Sequence, residues 1–96
     1  VHSLLAEGCR VVGWDRASSV DTTLSPLQGF SGATATGILC DITDHASVEQ
    51  ALQETERRAG PVQHLIHAAA IGSGHFGFPF TNVPPEAWRR VYEVNV

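Results

Sequence analysis

The alternation of apolar and polar positions predicts the first elements of the chain. A short apolar helical face at the start ends at Gly8, which can supply the backbone conformation that stops a helix. Residues 9–14 then have the composition of a strand that ends at Asp15. Residues 16–35 are rich in Ser, Thr, Gly and Ala, and they predict a loop with one weak helix.

The middle of the chain carries the clearest helix signal. Residues 37–40 form a short apolar run that predicts a buried strand, and this run also ends on an acid, Asp41. Asp44 can cap the helix that follows, and Gly60 with Pro61 can end it. The inner face of this helix is predicted from the 3.6-residue period to comprise Val48, Ala51, Leu52, Thr55 and Ala59.

A third strand and a last helix are predicted in the remainder. Residues 62–71 are uncharged and mostly apolar, as is typical of a strand buried on both faces of a parallel sheet. A loop follows, and Pro84 and Pro85 can open a helix with Trp88 and Val91 on one side. The order of these elements predicts an α/β fold with a doubly wound parallel sheet.

Composition limits the size and the class of the protein. With 96 residues, the chain is at most one small domain or part of one. Its first helical pattern has no capping residue in front, so we expect a fragment. The net charge is −4, and the six basic residues, all Arg, are scattered along the sequence. The sequence therefore has no basic stripe that could bind nucleic acid. Residues 59–85 contain no Asp, Glu, Lys or Arg, but their Pro, Gly and His residues argue against a membrane span. A cytoplasmic location is expected.

The spacing of the cysteines and histidines predicts neither a disulfide framework nor a metal site. Cys9 and Cys40 are too few for a disulfide framework and lack metal-ligand spacing, so we expect two free thiols at opposite ends of neighbouring strands. His64 and His67 are three residues apart, which on a strand points them to opposite faces. No metal site is expected.

Residues 72–77 fit the pattern G-x-G-x-x-G and follow a predicted strand. A phosphate-binding loop of this kind needs a helix N-terminus directly after it, so that backbone N–H groups face the pyrophosphate. The next eight residues, 78–85, contain three prolines and cannot form the first turns of a helix. We therefore interpret residues 72–77 as a loop at the carboxyl end of a strand.

The acids that end two predicted strands are more informative. In a dinucleotide-binding fold, a carboxylate such as Asp15 can accept hydrogen bonds from the adenosine ribose, and its charge repels a 2′-phosphate. This reading favours NAD over NADP. The alternative is that Asp ends strands well without binding anything. Taken alone, Asp41 with Asp44 is a capped junction between a strand and a helix.

Together, these segments resemble the short-chain dehydrogenase/reductase family over essentially all 96 residues. The resemblance rests on the order of four segments, of which none is specific alone. Residues 5–16 resemble the family's first helix and second strand, and residues 41–44 its Asp-Val-Thr/Ser-Asp element. Residues 64–71 resemble its strand ending in Asn-Asn-Ala-Gly, and residues 88–96 its helix with Trp and Val-Asn-Val/Leu.

The resemblance implies a partial doubly wound parallel sheet of the Rossmann type, which lacks the first strand and the C-terminal half. Residues 1–96 would then be a partial NAD(P)-binding domain. The implied activity is hydride transfer between a nicotinamide, of NAD rather than NADP, and a hydroxyl or carbonyl group of a small-molecule substrate. The full-length protein would be a homo-oligomer, a tetramer or a dimer.

The resemblance also implies roles for particular residues. Asn95 matches the family's catalytic-set Asn, which helps to hold a water that is linked to the catalytic Lys. The residues implied at the cofactor are Asp15, Arg16, Asp41, Ile42, Ala68, Ala69, Ala70 and Ile71.

The sequence departs from the family at several places. Three alanines stand where the family has Asn-Ala-Gly, and the glycine-rich loop, the catalytic Ser and the Tyr-x-x-x-Lys pair are absent from the 96 residues. The sole tyrosine, Tyr92, is followed four places on by Val96. We expect a fragment of an NAD(H)-dependent alcohol dehydrogenase or ketoreductase. The alternatives are a non-catalytic nucleotide-binding or regulatory module, and an NAD-dependent epimerase or dehydratase of the extended branch.

Overall fold

The computed structural model describes residues 1–77 and 79–96 and places the elements in two units, residues 1–65 and residues 66–96. The first unit consists of α1 (His2–Ala6), β1 (Val11–Asp15), α2 (Val20–Leu24), a 3-10 turn (Phe30–Gly32), β2 (Ala35–Leu39) and α3 (His45–Ala59). The second consists of a 3-10 turn (Phe80–Asn82) and α4 (Pro85–Asn95).

Strands β1 and β2 form a two-stranded parallel sheet. Trp14 lies opposite Ile38 in the register, and Asp15 lies opposite Leu39. The two strands and their parallel pairing were predicted from the sequence, and both predictions are confirmed. The chain is thus α/β, with a small parallel sheet consistent with part of a Rossmann-like fold.

Helices cover both faces of this sheet, because neighbouring residues of a strand point to opposite faces. Val11 packs on a core cluster that includes Leu5 of α1, together with Leu24 of α2. Val12, the next residue along β1, packs on a second cluster that includes Ala51 of α3. Helices α1 and α2 therefore lie on one face and α3 on the other, which is the layering of a doubly wound sheet.

The approach of α2 to β2 requires a glycine. A Cβ atom built on Gly37 would overlap the main chain of Val20 and Asp21, so no larger residue fits at this crossing. Asp21 also accepts a hydrogen bond from the Gly37 N–H, at 3.0 Å. Since the neighbouring residues of β2 direct their N–H groups to β1, the N–H of Gly37 points to the outer edge of the strand. The carboxylate of Asp21 therefore satisfies the Gly37 N–H at this edge of the sheet.

Helix α3 follows the sequence prediction closely. The side chain of Asp44 accepts a hydrogen bond from the Ala46 N–H at 3.2 Å, and Gly60 ends the helix with a φ of +83°. Ala51 and Thr55 are buried on the predicted inner face. Leu52 is 41% exposed, so it lies at the border of this face and not within the core.

The predicted third strand is not formed. Residues 61–73 are neither helix nor strand, and Leu65 and Ile66 are 83% and 67% exposed. A parallel strand exists only where a neighbour accepts and donates its main-chain hydrogen bonds. In the family that the sequence resembles, the neighbour is a strand that precedes the first helix, and the 96 residues contain no counterpart of it. Residues 62–71 therefore have the apolar composition of a strand, but they lack the neighbouring strand with which they would form main-chain hydrogen bonds.

Helix α4 is present as predicted, with Pro84 in front of the first turn and Pro85 as its first residue. Val94 is the buried residue of the helix. The two cysteines are free, with Cys9 exposed before β1 and Cys40 buried after β2. Among the described residues, no helix has the length and apolar character needed to cross a membrane.

Candidate functional site

The two strand-ending acids lie at the same edge of the sheet. Asp15 is the last residue of β1, and Asp41 comes two residues after the last residue of β2. The main chain continues the ladder beyond the strands, since the Cys40 N–H donates a hydrogen bond of 2.9 Å to the Asp15 carbonyl. The structure therefore brings Asp15 and Asp41 together at the carboxyl end of the sheet, where ligands of open α/β sheets bind.

The carboxylate of Asp15 is oriented by the chain that follows it. Its Oδ1 accepts a hydrogen bond of 2.8 Å from the Ala17 N–H, and the side chain is exposed. Arg16, between the two, is also exposed. A cleft of about 260 Å³ opens beside this turn. Its lining residues are Gly13, Trp14, Asp15, Ala17, Ser19, Val20, Thr23 and Leu24.

Trp14, the residue before Asp15, directs its side chain to the face of the sheet that α3 covers. The indole N–H of Trp14 donates to the Thr55 hydroxyl at 2.9 Å, and this hydroxyl donates to the Ala51 carbonyl at 2.7 Å. The end of β1 is thereby tied to the middle of α3. Sequence reasoning missed Trp14 and Thr55, which are 41 positions apart, although Thr55 was predicted on the inner face of its helix.

Asp41 and Ile42 form a closed turn between β2 and α3. The Oδ1 of Asp41 accepts hydrogen bonds from the Thr43 N–H at 3.0 Å and from the Thr43 hydroxyl at 2.7 Å. The Asp41 N–H donates to the Ser47 hydroxyl at 3.0 Å. The half-buried Ile42 packs on the cluster that includes Ile38. Ser47, which the sequence did not single out, helps to fix this turn.

In the second unit, Asn95 is joined to Ile71. The side-chain oxygen of Asn95 accepts a hydrogen bond of 2.9 Å from the Ile71 N–H, and its amide nitrogen donates one of 3.0 Å to the Ile71 carbonyl. Of the sequence-predicted residues 68–71, the three alanines are exposed and Ile71 is half-buried. The structure therefore brings together two of the residues that the family resemblance implied, Asn95 and Ile71.

The loop after Ile71 is folded on itself. The Ser73 hydroxyl accepts a hydrogen bond of 3.2 Å from the His75 N–H, and the ring of Phe76 lies over Gly72. Gly74 and Gly77 have φ angles of +77° and +80°. Among the described residues, the α-helix that follows this loop is α4, which begins at Pro85, eight residues after Gly77.

A half-open pocket of about 330 Å³ lies between the loop and α4, within the second unit. Its lining residues are Ser73, Phe80, Val83, Trp88 and Val91. Phe78, which belongs to the same loop, lies outside the described residues.

Comparison with known proteins establishes the class of the chain. The family model described as enoyl-(acyl carrier protein) reductase matches residues 1–96, the whole sequence. The chain therefore belongs to this family, and with it to the short-chain dehydrogenases/reductases.

Curated relatives agree with this assignment. Over 65 residues, or 68% of the chain, the sequence is 38% identical to a protein of Xanthobacter autotrophicus named inactive 2-(S)-hydroxypropyl-CoM dehydrogenase 2. Over 95 residues, or 99% of the chain, it is 24% identical to the 3-oxoacyl-(acyl-carrier-protein) reductase FabG of Escherichia coli. The matches span 27% and 36% of the two relatives, so the chain covers about a third of their length or less.

Proposed function

We propose that residues 1–96 belong to an oxidoreductase that transfers a hydride between a nicotinamide dinucleotide and a hydroxyl or carbonyl group of a small molecule. Membership of the family supports this proposal, as do the dehydrogenase and reductase names of the relatives. We further propose that the intact protein is a cytoplasmic homo-oligomer, a dimer or a tetramer, as is common in the family.

The observation that carries the proposal is the geometry of Asp15. Its carboxylate stands at the carboxyl end of the sheet, exposed to solvent and held by the Ala17 N–H through one oxygen. A carboxylate fixed in this way can accept hydrogen bonds from the two hydroxyls of a ribose without reorganising, which is the role of a strand-ending acid in dinucleotide-binding folds. The arrangement therefore fits the adenosine ribose of a dinucleotide.

The charge of Asp15 favours NAD over NADP. A 2′-phosphate on the adenosine ribose would lie within a few ångströms of the carboxylate, and two negative charges at that distance repel each other. Arg16 is the neighbouring cation that could partner a phosphate if the acid were removed. We propose that Asp41 and Ile42 contact the adenine.

The roles proposed for the second unit concern the main chain. Ala68, Ala69 and Ala70 present backbone groups with small side chains, and the Asn95 amide holds the main chain of Ile71. We assign these four residues, 68–71, to the cofactor, and Asn95 to positioning them and to the catalytic set. When bound, the nicotinamide supplies the hydride donor or acceptor.

The proposal is tested by replacing Asp15 in the intact enzyme that contains these residues. A charge-assisted hydrogen bond contributes about 1.5–3 kcal/mol, so Asp15→Ser is expected to weaken NAD binding about tenfold or more. The use of NADP should rise, because the repelling charge is gone. The measurement is kcat/KM for NAD divided by kcat/KM for NADP, since this ratio cancels any general damage to the enzyme.

Asp15→Asn is the matched control. Asparagine keeps an oxygen that can accept from the Ala17 N–H, while the negative charge is removed. If charge sets the choice of cofactor, the ratio falls in both variants. An unchanged ratio in both would make Asp15 an acid that only ends a strand, and the assignment of NAD would lose its main support.

A second candidate function is dinucleotide binding without catalysis. The observation that favours it is the name of the Xanthobacter relative, which is described as inactive, at 38% identity. The two candidates differ in a direct measurement on the intact protein. Binding of NAD by calorimetry, with no NADH formed from any secondary alcohol, would select the second candidate and reject the first.

A further inference from the structure

Trp14 and Thr55 join the end of β1 to α3 across one face of the sheet. The Thr55 hydroxyl accepts from the indole N–H at 2.9 Å and directs its own hydrogen to the Ala51 carbonyl at 2.7 Å. Thr55 is 6% exposed, and among the residues that the structure describes it is the one polar side chain that is buried. A hydroxyl that bonds back to its own helix does not favour the helix, and valine would fill the same space. The indole of Trp14 therefore accounts for the hydroxyl at this position.

The anchored indole sets the direction of the Asp15 side chain. Asp15 directly follows Trp14 and is the last residue of β1. Successive side chains of a strand point to opposite faces, so holding Trp14 on the α3 face fixes the rotation of the strand end. The Ala17 N–H then holds one carboxylate oxygen of Asp15 at 2.8 Å. Thr55 thus orients the end of the strand, and Ala17 orients the carboxylate itself.

The same anchor is packed together with the turn that precedes α3. Trp14 and Ile42 both pack on the core cluster that includes Ala51 of α3. Ile42 lies in this turn, which is fixed by the hydrogen bond of 3.0 Å from the Asp41 N–H to the Ser47 hydroxyl. The indole is therefore in one packed group with the turn that we assign to the adenine, and its neighbour along the strand is the acid that we assign to the ribose.

We propose that Thr55 is a positioning residue for the adenosine end of the dinucleotide. By holding the indole of Trp14, it keeps the Asp15 carboxylate at a fixed place relative to the turn at Asp41 and Ile42. The ribose and the adenine then meet groups that are already in position, which avoids the free energy needed to order them on binding. The inference rests on the proposed function, because Thr55 acts through the role assigned to Asp15. The rival explanation is that the hydrogen bond only stabilises the fold.

The test is the dissociation constant of NAD, measured by calorimetry on the intact protein at a temperature where circular dichroism shows each variant to be folded. Two variants remove the hydrogen bond from opposite sides. Thr55→Val takes away the acceptor, and Trp14→Phe takes away the donor but keeps an aromatic ring on the cluster. Each should raise the dissociation constant about fivefold. Trp14→Phe leaves no indole N–H without an acceptor, so it keeps the test valid if Thr55→Val does not fold.

Two further variants separate positioning from stability. Thr55→Ser keeps the hydroxyl but loses a methyl group from the core, so its affinity for NAD should stay within about twofold of the wild type even though its stability falls. Thr22→Val makes the same chemical change as Thr55→Val on the exposed surface of α2, and it should bind NAD as the wild type does.

The affinity for NADP gives a readout that general damage to the fold would not move. A displaced Asp15 carboxylate repels a 2′-phosphate less, so NADP binding should weaken less than NAD binding in Thr55→Val. The dissociation constant for NADP divided by that for NAD should therefore fall at least about threefold.

A double-mutant cycle shows whether Thr55 acts through Asp15. In Asp15→Ser the carboxylate is gone, so its position no longer matters. Adding Thr55→Val to Asp15→Ser should therefore change NAD binding by less than about twofold, against about fivefold when Asp15 is present.

Three results would overturn the inference. Wild-type affinity in both Thr55→Val and Trp14→Phe would show that the hydrogen bond does not position Asp15. Equal losses for NAD and NADP, which Thr55→Ser does not restore, would assign the hydrogen bond to stability alone. Losses that add in full in the double variant would show that Thr55 acts without Asp15. Unchanged NAD binding in Asp15→Ser itself would reject the cofactor assignment as well, so the two failures are distinguishable.

Discussion

The side chain of Asn95 satisfies both main-chain groups of Ile71, accepting from the N–H at 2.9 Å and donating to the carbonyl at 3.0 Å. The two residues are 24 positions apart, and the pair of hydrogen bonds resembles one step of a sheet ladder that is made by a side chain. The last turn of α4 is thereby linked to the end of the segment 68–71. A carboxamide is suited to this task, because it carries a donor and an acceptor in one plane.

Asn95→Asp is expected to destabilise the intact protein by about 1–3 kcal/mol. The carboxylate can still accept from the Ile71 N–H, but it has no donor for the Ile71 carbonyl and places a second acceptor opposite it. The free energy of unfolding in urea measures the loss. Asn82→Asp, in the exposed 3-10 turn before α4, is the control with the same chemical change. Equal losses in the two variants would contradict the specific role of Asn95.

The elements that the sequence predicted correctly are those whose pattern is local. Helix α3 combines a cap at Asp44, a 3.6-residue apolar period and a stop at Gly60, all within 17 residues. Both strands of the sheet are short runs followed closely by a change to polar residues: β1 ends at Asp15, and Asp41 comes two residues after the end of β2. Such signals lie within one segment, so no knowledge of a distant partner is needed.

The features that the sequence did not predict depend on distant partners. The run 62–71 has the apolar composition of a strand, but no strand among the described residues pairs with it. The links from Asn95 to Ile71 and from Trp14 to Thr55 join residues 24 and 41 positions apart. The role of Asn95 came from the family resemblance, whereas its hydrogen-bonding partner is visible only in three dimensions.

Thr55→Val should show how strongly α3 is fixed to the end of β1. Valine keeps the shape of threonine but removes the hydroxyl, so the half-buried indole N–H of Trp14 loses its acceptor. An unsatisfied polar group of this kind destabilises a protein by about 1–3 kcal/mol. Unfolding in urea, followed by tryptophan fluorescence, measures the change. Thr22→Val, on the exposed surface of α2, is the control and should change the stability by about 0.5 kcal/mol or less.

Asp21 should protect the outer edge of β2. In Asp21→Ala, the N–H of the buried Gly37 loses its acceptor at 3.0 Å and is left without a partner at the edge of the strand. We expect faster hydrogen exchange at Gly37, a loss of about 1–3 kcal/mol in unfolding free energy, and more self-association at high protein concentration. Asp21→Asn retains a side-chain oxygen and should show a smaller effect on all three. An unchanged exchange rate at Gly37 in Asp21→Ala would show that the edge is protected by other groups.

The acid dependence of stability should reveal the ion pairs of α3. The guanidinium of Arg57 donates a hydrogen bond of 2.7 Å to the Glu54 carboxylate, and the guanidinium of Arg58 forms an ion pair with the same carboxylate. Arg57 first and Arg58 second, the two arginines lower the pKa of the Glu54 carboxyl from 4.5 to about 2. Because the pKa in the folded state is below the ordinary value, the folded state favours the ionised carboxylate. The contribution of these pairs is therefore fully present above about pH 4.5 and is lost as the pH falls towards about 2.

Glu54→Gln removes this contribution at neutral pH. The difference in unfolding free energy between the wild type and Glu54→Gln should be largest above about pH 5 and should shrink as the pH is lowered through the window between about 4.5 and about 2. Added salt should also reduce the difference, because the pairs are at the surface. Glu56→Gln, at an exposed position two residues along the same helix, is the control for the loss of one negative charge. A difference for Glu54→Gln that stayed constant across this window would show that ionisation of the carboxyl is not what the two arginines stabilise.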